Sequence, residues 1–341
     1  MRLGLLSFTP KGALLGQSIF RLPGVEFISR AGGQSASAFV AEWWNKADGF
    51  VFIGAAGIAV RCIAPLVRSK ASDPAVVVLD ESGRFAVPIL SGHLGGANQL
   101  AKELAALTGG QAVLTTATDV NGAFAVDVWS GQAGCTLLET SRIKAVSGAL
   151  LRGEPVGLYS EFPVQGALPP GMTLGPAPVG VCVSLSGAEE PFPTTLHAVP
   201  RIVTVGAGCR RNTAPDSFEA FVWDCLGHYN IAGQAVCAVA SIDRKADEAC
   251  LLAFCRANRL PFLTYSAEQL RRAKGVFSAS AFVEQTVGVD NVCERSAVMG
   301  GGSLRIKKQA RDGMTMAAAV REWRCCFEFI DGGNGLFLGG H

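Results

Sequence analysis

Charge and histidine are scarce in this chain. Asp, Glu, Lys and Arg make up 17% of its 341 residues, and 30 basic against 28 acidic side chains leave a formal net charge of +2. So even a balance excludes the broad positive field that non-specific nucleic-acid binding depends on, although local arginine clusters can still grip a small acidic molecule. There are 4 histidines, and among 11 cysteines no two stand in a Cys-x-x-Cys pair. Without a ligand-spaced cluster no structural or catalytic zinc centre is expected, and the odd number of thiols argues against a fully paired disulfide set. Cys182, Cys225, Cys237, Cys250 and Cys255 lie in apolar stretches, where a free thiol serves as a small hydrophobe. Long hydrophobic runs are missing too. Gly, Pro or a charge interrupts each one well short of the roughly 20 residues a membrane span requires. Residues 1–8 meet Thr9-Pro10-Lys11-Gly12 at once, too soon for the apolar core of a signal peptide. They read as a first strand, and the chain is expected in the cytoplasm.

Hydrophobic residues, at 49%, are plentiful enough for a large core divided among two or three domains. Apolar runs at 3–8, 25–28, 50–53, 76–79, 85–90 and 112–114 alternate with helical patterns, the rhythm of an α/β sheet. Asp80-Glu81-Ser82-Gly83 reads as a hairpin turn, which makes that sheet mixed. From 131 to 198 Gly and Pro accumulate, as in Leu168-Pro169-Pro170-Gly171 and Gly175-Pro176-Ala177-Pro178, with only short strand-like runs such as 179–185. A fresh α/β pattern starts near 201, with strands at 235–240 and 261–265 and helical patterns at 246–257 and 279–287. The expected organisation is an N-terminal α/β domain over 1–130, a small Gly/Pro-rich middle α/β module over 131–198 and a C-terminal α/β domain over 199–341. Both larger domains are expected to be three-layered with mixed sheets.

Ser91-Gly92-His93-Leu94-Gly95-Gly96-Ala97-Asn98 joins an apolar strand to a helix whose apolar face is Leu100, Ala101, Leu104 and Leu107. Ligands of open α/β sheets sit beyond strand carboxyl ends, and helix N-termini favour anions, so Ser91, His93 and Asn98 are expected to face a crevice. The alternative is that His93 only satisfies the turn's backbone groups. Thr115-Thr116-Ala117-Thr118-Asp119 follows the next strand, where Asp119 can orient His93, activate water, or simply cap its own turn. Gly54-Ala55-Ala56-Gly57 opens a small-residue helix and is expected on the same carboxyl rim as the His93 turn. Arg61 and Lys70 flank that helix and its loop as further carboxylate contacts or as solvated charge. Gly206-Ala207-Gly208-Cys209-Arg210-Arg211 is a weak dinucleotide fingerprint, because the third small position is Arg211 and no acidic strand end follows. It reads instead as an anion-binding loop, its glycines letting backbone approach a ligand, its arginines forking onto carboxylates, and Thr213 capping a helix with Asp216 in its first turn. Glu284 in a helical pattern and Glu294 beyond Gly288 could act as acid or base, though a solvated helix face explains both.

Together these segments, with Lys70 to Val78 and Phe277-Ser278-Ala279-Ser280-Ala281-Phe282-Val283-Glu284, resemble the cobalt-precorrin-5A hydrolase family (CbiG) of anaerobic cobalamin biosynthesis over nearly the whole chain. The departure is Asn212, where that family more often carries a small or basic residue. The resemblance implies three regions and a reaction in which water opens the ring A δ-lactone of cobalt-precorrin-5A and the C20 unit leaves as acetaldehyde, giving cobalt-precorrin-5B. It also implies no cofactor of the protein's own, since the substrate carries the cobalt. His93 and Asp119 are the candidate catalytic pair. Gly54, Gly57, Arg61, Lys70, Ser91, Gly92, Gly95, Gly96, Asn98, Thr115, Thr116, Gly206, Gly208, Cys209, Arg210, Arg211, Thr213 and Glu284 are the candidate contacts to the anionic tetrapyrrole. Other enzymes of the pathway and a second copy of the chain are further candidate partners, and neither nucleic acid nor membrane is expected. A noncatalytic tetrapyrrole hand-over module needs the Arg and Gly loops but not His93, and stays open as the alternative.

Overall fold

In the computed structural model of the protein, the described residues are 1–69, 72–92, 95–116, 122–279, 285 and 288–328. The chain divides into two compact units, 1–128 and 129–341. The first is a mixed α/β domain. In chain order its elements are β1 (Arg2–Ser7), α1 (Pro10–Ile19), β2 (Glu26–Ser29), α2 (Ala36–Trp43), β3 (Gly49–Ile53), α3 (Ala56–Ile63), β4 (Ala75–Leu79), β5 (Phe85–Leu90), α4 (Ala97–Thr108) and β6 (Gln111–Ala112). Their sheet order is β2-β1-β3-β4-β5-β6. Strand side chains alternate between faces, so Leu3, Val51, Ile53, Val77 and Leu79 pack under α1 and α4 while Phe50, Phe52, Val76 and Val78 pack under α2 and α3. The result is three layers around a fully buried centre. β1 to β4 are parallel, but the hairpin at 80–83 sends β5 back antiparallel to β4, and β6 follows β5.

Beyond α5 (Val126–Gln132), which spans the boundary, the described residues of the second unit form two five-stranded sheets and a two-stranded one. The middle one is built from β7 (Cys135–Leu137), α6 (Ile143–Leu151), β8 (Val156–Ser160), β9 (Val164–Gln165), β10 (Met172–Thr173), β11 (Val179–Val183) and β12 (Thr194–Pro200), in the order β10-β8-β11-β12-β7, with β9 outside it. The last sheet comes from β13 (Val203–Gly208), α7 (Pro215–His228), β14 (Val236–Ile242), α8 (Ala249–Ala257), β15 (Phe262–Tyr265), α9 (Ala267–Arg271), α10 (Cys293–Met299), β16 (Ser303–Arg311) and β17 (Met314–Val320). Its order is β15-β14-β13-β17-β16, and β18 (Cys325–Cys326) pairs with β9. Leu185 and Val199 from the middle segment enter the same core as Phe218, Phe221, Leu251 and Phe254. The Trp129 indole stacks on Phe327, and its N–H donates to the Cys326 carbonyl at 2.8 Å. No helix among the described residues is long and apolar enough to cross a membrane.

Candidate functional site

Direction of β5 decides where the first unit's motifs lie. Leu90 at its end pairs with Val76 at the start of β4, whereas Gly54 donates to the carbonyl of Leu79 at the end of β4. The Ser91–Asn98 turn and the Gly54–Gly57 turn therefore occupy opposite edges of the sheet, which corrects the expectation of one shared rim. The cause is the 80–83 hairpin, which reverses the chain by one strand. At the Gly54 edge, α3 starts without a side-chain cap, and the Arg61 guanidinium reaches back to 3.8 Å from where a Cβ on Gly57 would stand.

At the opposite edge three segments meet. Asp73 is buried, and its carboxylate accepts from the amides of Arg68 and Ser69 at 2.8 and 2.9 Å. The Asp73 carbonyl accepts the Ser91 hydroxyl at 2.8 Å, so Ser91 braces the turn and does not point into a crevice. Within the turn, the amides of Ala97 and Asn98 donate to the carbonyls of Ser91 and Gly92. These α4 amides are thus spent on the turn and are not offered to an anion. A Cβ on Gly95 would lie 2.3 Å from the Ser91 Cβ, and Gly96 holds a φ of 82°, so only glycine closes this turn. Buried Asn98 donates from Nδ2 to the Thr116 hydroxyl at 3.2 Å, which brings the segment after β6 to the same edge, with Thr115 exposed beside it. His93, Asp119 and Lys70 lie outside the described residues, as does Glu284 in the second unit. Asp73 went unassigned in the sequence reading, although an acidic residue opening the Pro74–Val78 run was the available signal.

In the second unit the carboxyl ends of β13, β14 and β15 share an edge, the usual ligand side of such a sheet. Arg210 and Arg211 are exposed there, and neither has an ionic partner among the described residues. The Arg210 amide donates to the Gly313 carbonyl of the β16–β17 turn, and its side chain lies across Gly313. Asn212 adopts a φ of 62°, a left-handed conformation that Asn tolerates better than most residues. Three expectations change here. Gly206 is not an approach for ligand: a Cβ on it would stand 1.8 Å from the Cys293 carbonyl, and one on Gly208 would meet the Thr315 hydroxyl at 2.7 Å. Both are packing glycines. Thr213 does not cap α7, whose N-cap is Ala214; its hydroxyl turns back to the Arg210 carbonyl at 2.8 Å, while Asp216 does sit in the first turn. Glu294 is fully buried, not solvated. Its carboxylate accepts the Ser278 amide and hydroxyl at 2.7 and 2.9 Å and the Lys308 amide at 2.7 Å. Asn291 completes this brace by donating to the Ser278 carbonyl at 2.8 Å, and Arg295 lies 4.5 Å from the centre of the Phe277 ring. The 277–279 segment is thereby pinned to the start of α10, next to Gly206.

Cys209 follows β13 directly, and its thiol lies 3.3 Å from that of Cys250. With a carboxylate oxygen of Glu248 these form a group of three potential ligand atoms within 4.8 Å of one another, the cluster that linear spacing did not reveal. Burial pushes the Cys209 thiol up to about 12, and the neighbouring Cys250 adds to the effect.

Three family models match the chain. Cobalamin synthesis G N-terminal covers residues 38–119, Cobalamin biosynthesis central region 124–200 and Cobalamin synthesis G C-terminus 203–319. Among curated relatives, the cobalt-precorrin-5A hydrolase of Salmonella typhimurium is 36% identical over 285 residues, spanning 79% of this chain and 81% of the relative. That of Priestia megaterium is 27% identical, spanning 80% and 78%. A solved cobalamin biosynthesis protein G homologue from Sulfolobus solfataricus aligns at 19% identity over 94% of this chain and 97% of that one, with a TM-score of 0.42.

Proposed function

The chain belongs to the cobalt-precorrin-5A hydrolase family, and from that membership we propose that it opens the ring A δ-lactone of cobalt-precorrin-5A with water and releases the C20 unit as acetaldehyde, giving cobalt-precorrin-5B. The observation that carries this reading is the 36% identity to a relative of that name along 79% of the chain. The reaction needs a base for water, charge stabilisation at the lactone carbonyl, and a proton donor as the carbon fragment departs. An imidazole is the side chain whose ordinary range spans neutral pH, so His93 is assigned the acid/base role, with Asp119 assigned to hold its tautomer. Arg210 and Arg211, free of ionic partners among the described residues, are assigned to the carboxylate arms of the macrocycle. Gly54, Gly57 and Arg61 offer a second small-residue surface with a guanidinium at the other edge of the first sheet. In this reading the cobalt travels with the substrate, the protein supplies no cofactor, and the reaction takes place in the cytoplasm.

The test is to incubate the full chain with cobalt-precorrin-5A and trap acetaldehyde. His93→Ala is expected to keep its circular dichroism and to release acetaldehyde about a hundredfold more slowly or worse, the scale of losing a positioned acid/base. Unchanged turnover in a folded His93→Ala protein would remove His93 from the chemistry. A wild-type chain that binds the substrate but yields no acetaldehyde would instead establish the hand-over reading.

A further inference from the structure

We propose that Cys209, Cys250 and Glu248 form a binding site for one thiophilic divalent cation of the zinc class. The three side chains come from two places in the fold: Cys209 leaves the end of β13, while Glu248 occupies the N-cap position of α8 and Cys250 lies in that helix's first turn. Their ligand atoms converge within 4.8 Å of one another, and the two sulfurs are 3.3 Å apart. Thiolate spacing around a tetrahedral zinc, with Zn–S near 2.3 Å, is roughly 3.8 Å, so the pair has only to part by about half an ångström. Two sulfurs and one carboxylate oxygen suit zinc or cadmium and disfavour magnesium or calcium.

Glu248 supports this independently of the thiols. Its side chain makes no bond to the amides of the helix it precedes. It points to Lys245, whose ammonium lies 2.6 Å away, and towards the sulfurs, although Glu248 is only 9% exposed and Cys250 not at all. Charge also balances. Two thiolates and a carboxylate carry three negative charges, and the cation with the Lys245 ammonium carries three positive ones, in a place where an unbalanced charge would be costly. Binding exchanges the two thiol protons for the cation, with no change of oxidation state. The α8 N-terminus stabilises the thiolates that result. Half-buried Cys209 leaves an entry path, and the bound ion would staple the 209–213 loop, with Arg210 and Arg211, to α8.

The proposal is independent of the hydrolase reading, and its test needs no substrate. The reduced full-length chain, stripped with a chelator, is titrated with cadmium alone and then zinc alone. One equivalent of cadmium should produce an ultraviolet sulfur-to-metal charge-transfer band, and zinc should raise the Tm until one equivalent is bound. Cys209→Ser and Cys250→Ser should each weaken affinity about a hundredfold or more, and Glu248→Gln, which keeps both thiols, about tenfold. Cys225→Ser should bind as the wild type does. The absence of both a stoichiometric band and a Tm rise in the wild type would show the two thiols to be core filler. A band that persists in both Cys209→Ser and Cys250→Ser would place the cation elsewhere. Either result overturns the site.

Discussion

Asp73 holds two loops with one residue: its carboxylate takes the Arg68 and Ser69 amides, and its carbonyl takes the Ser91 hydroxyl. Asp73 itself is only 5% exposed, so Asp73→Ala, which removes the carboxylate but keeps the carbonyl that Ser91 uses, should destabilise the chain by about 1–3 kcal/mol. Urea denaturation measures this, and a loss below about 0.5 kcal/mol would show that the 68–69 loop is held by something other than the carboxylate. Arg210 and Arg211 stand in contrast, since nothing among the described residues depends on their charge. Replacing both with Ala should leave the urea midpoint unchanged while raising KM for the substrate at least tenfold, about one charge-assisted bond's worth. A collapsed kcat at unchanged KM would move the pair from substrate binding into the catalytic step.

Elements depend on close approach. The α10 helix lies so near β13 that its Cys293 carbonyl would stand 1.8 Å from a Cβ on Gly206, with the backbone of Ala297 at 2.7 Å. Both obstacles are backbone, which cannot rotate away as a side chain could. Gly206→Ala should therefore cost about 3 kcal/mol, and it should loosen the 277–279 segment that Glu294 pins at the same helix end. Thermal melting checks the first effect and hydrogen exchange at the Ser278 amide the second; a Tm within a degree of wild type would refute the packing account.

Acid sensitivity belongs to the molecule as a whole, because two of its acidic anchors brace different parts of the second unit. Burial raises the Glu139 carboxyl, but the backbone amide and ring of His197, at 3.0 and 2.8 Å, outweigh this and hold it below its ordinary 4.5. The Arg295 guanidinium likewise holds Asp290 below 3.8, against a smaller opposing effect of burial. A carboxyl whose folded value is depressed adds stability that is complete above its unfolded value and is lost as pH falls through the folded one. Urea midpoints should accordingly be flat above about pH 5 with respect to these two groups and fall below about 4.5. The Glu139→Gln/Asp290→Asn variant should lose less over the same interval, and an acid slope identical to wild type would assign the loss to other groups.

Much of this was legible in the residues themselves. Alternation of apolar and polar positions is local, so β1, β3, β4, β5 and the α4 helix fall where the pattern places them, and the 80–83 turn announces a mixed sheet. Family membership was equally legible, since it rests on ordered motifs along nearly the whole chain. Tertiary structure alone decided which motifs share an edge, because one antiparallel strand moves the Ser91 turn away from Gly54, and that depends on counting reversals through the assembled sheet. It also decided what Gly206 is for and whether Glu294 meets water, since each answer lies in a partner distant in sequence, Cys293 for the glycine and Ser278 and Lys308 for the glutamate. The Cys209–Cys250–Glu248 cluster shows the same limit. Its sulfurs meet across 41 residues of chain, a proximity created by packing α8 beside the end of β13 and by no local spacing.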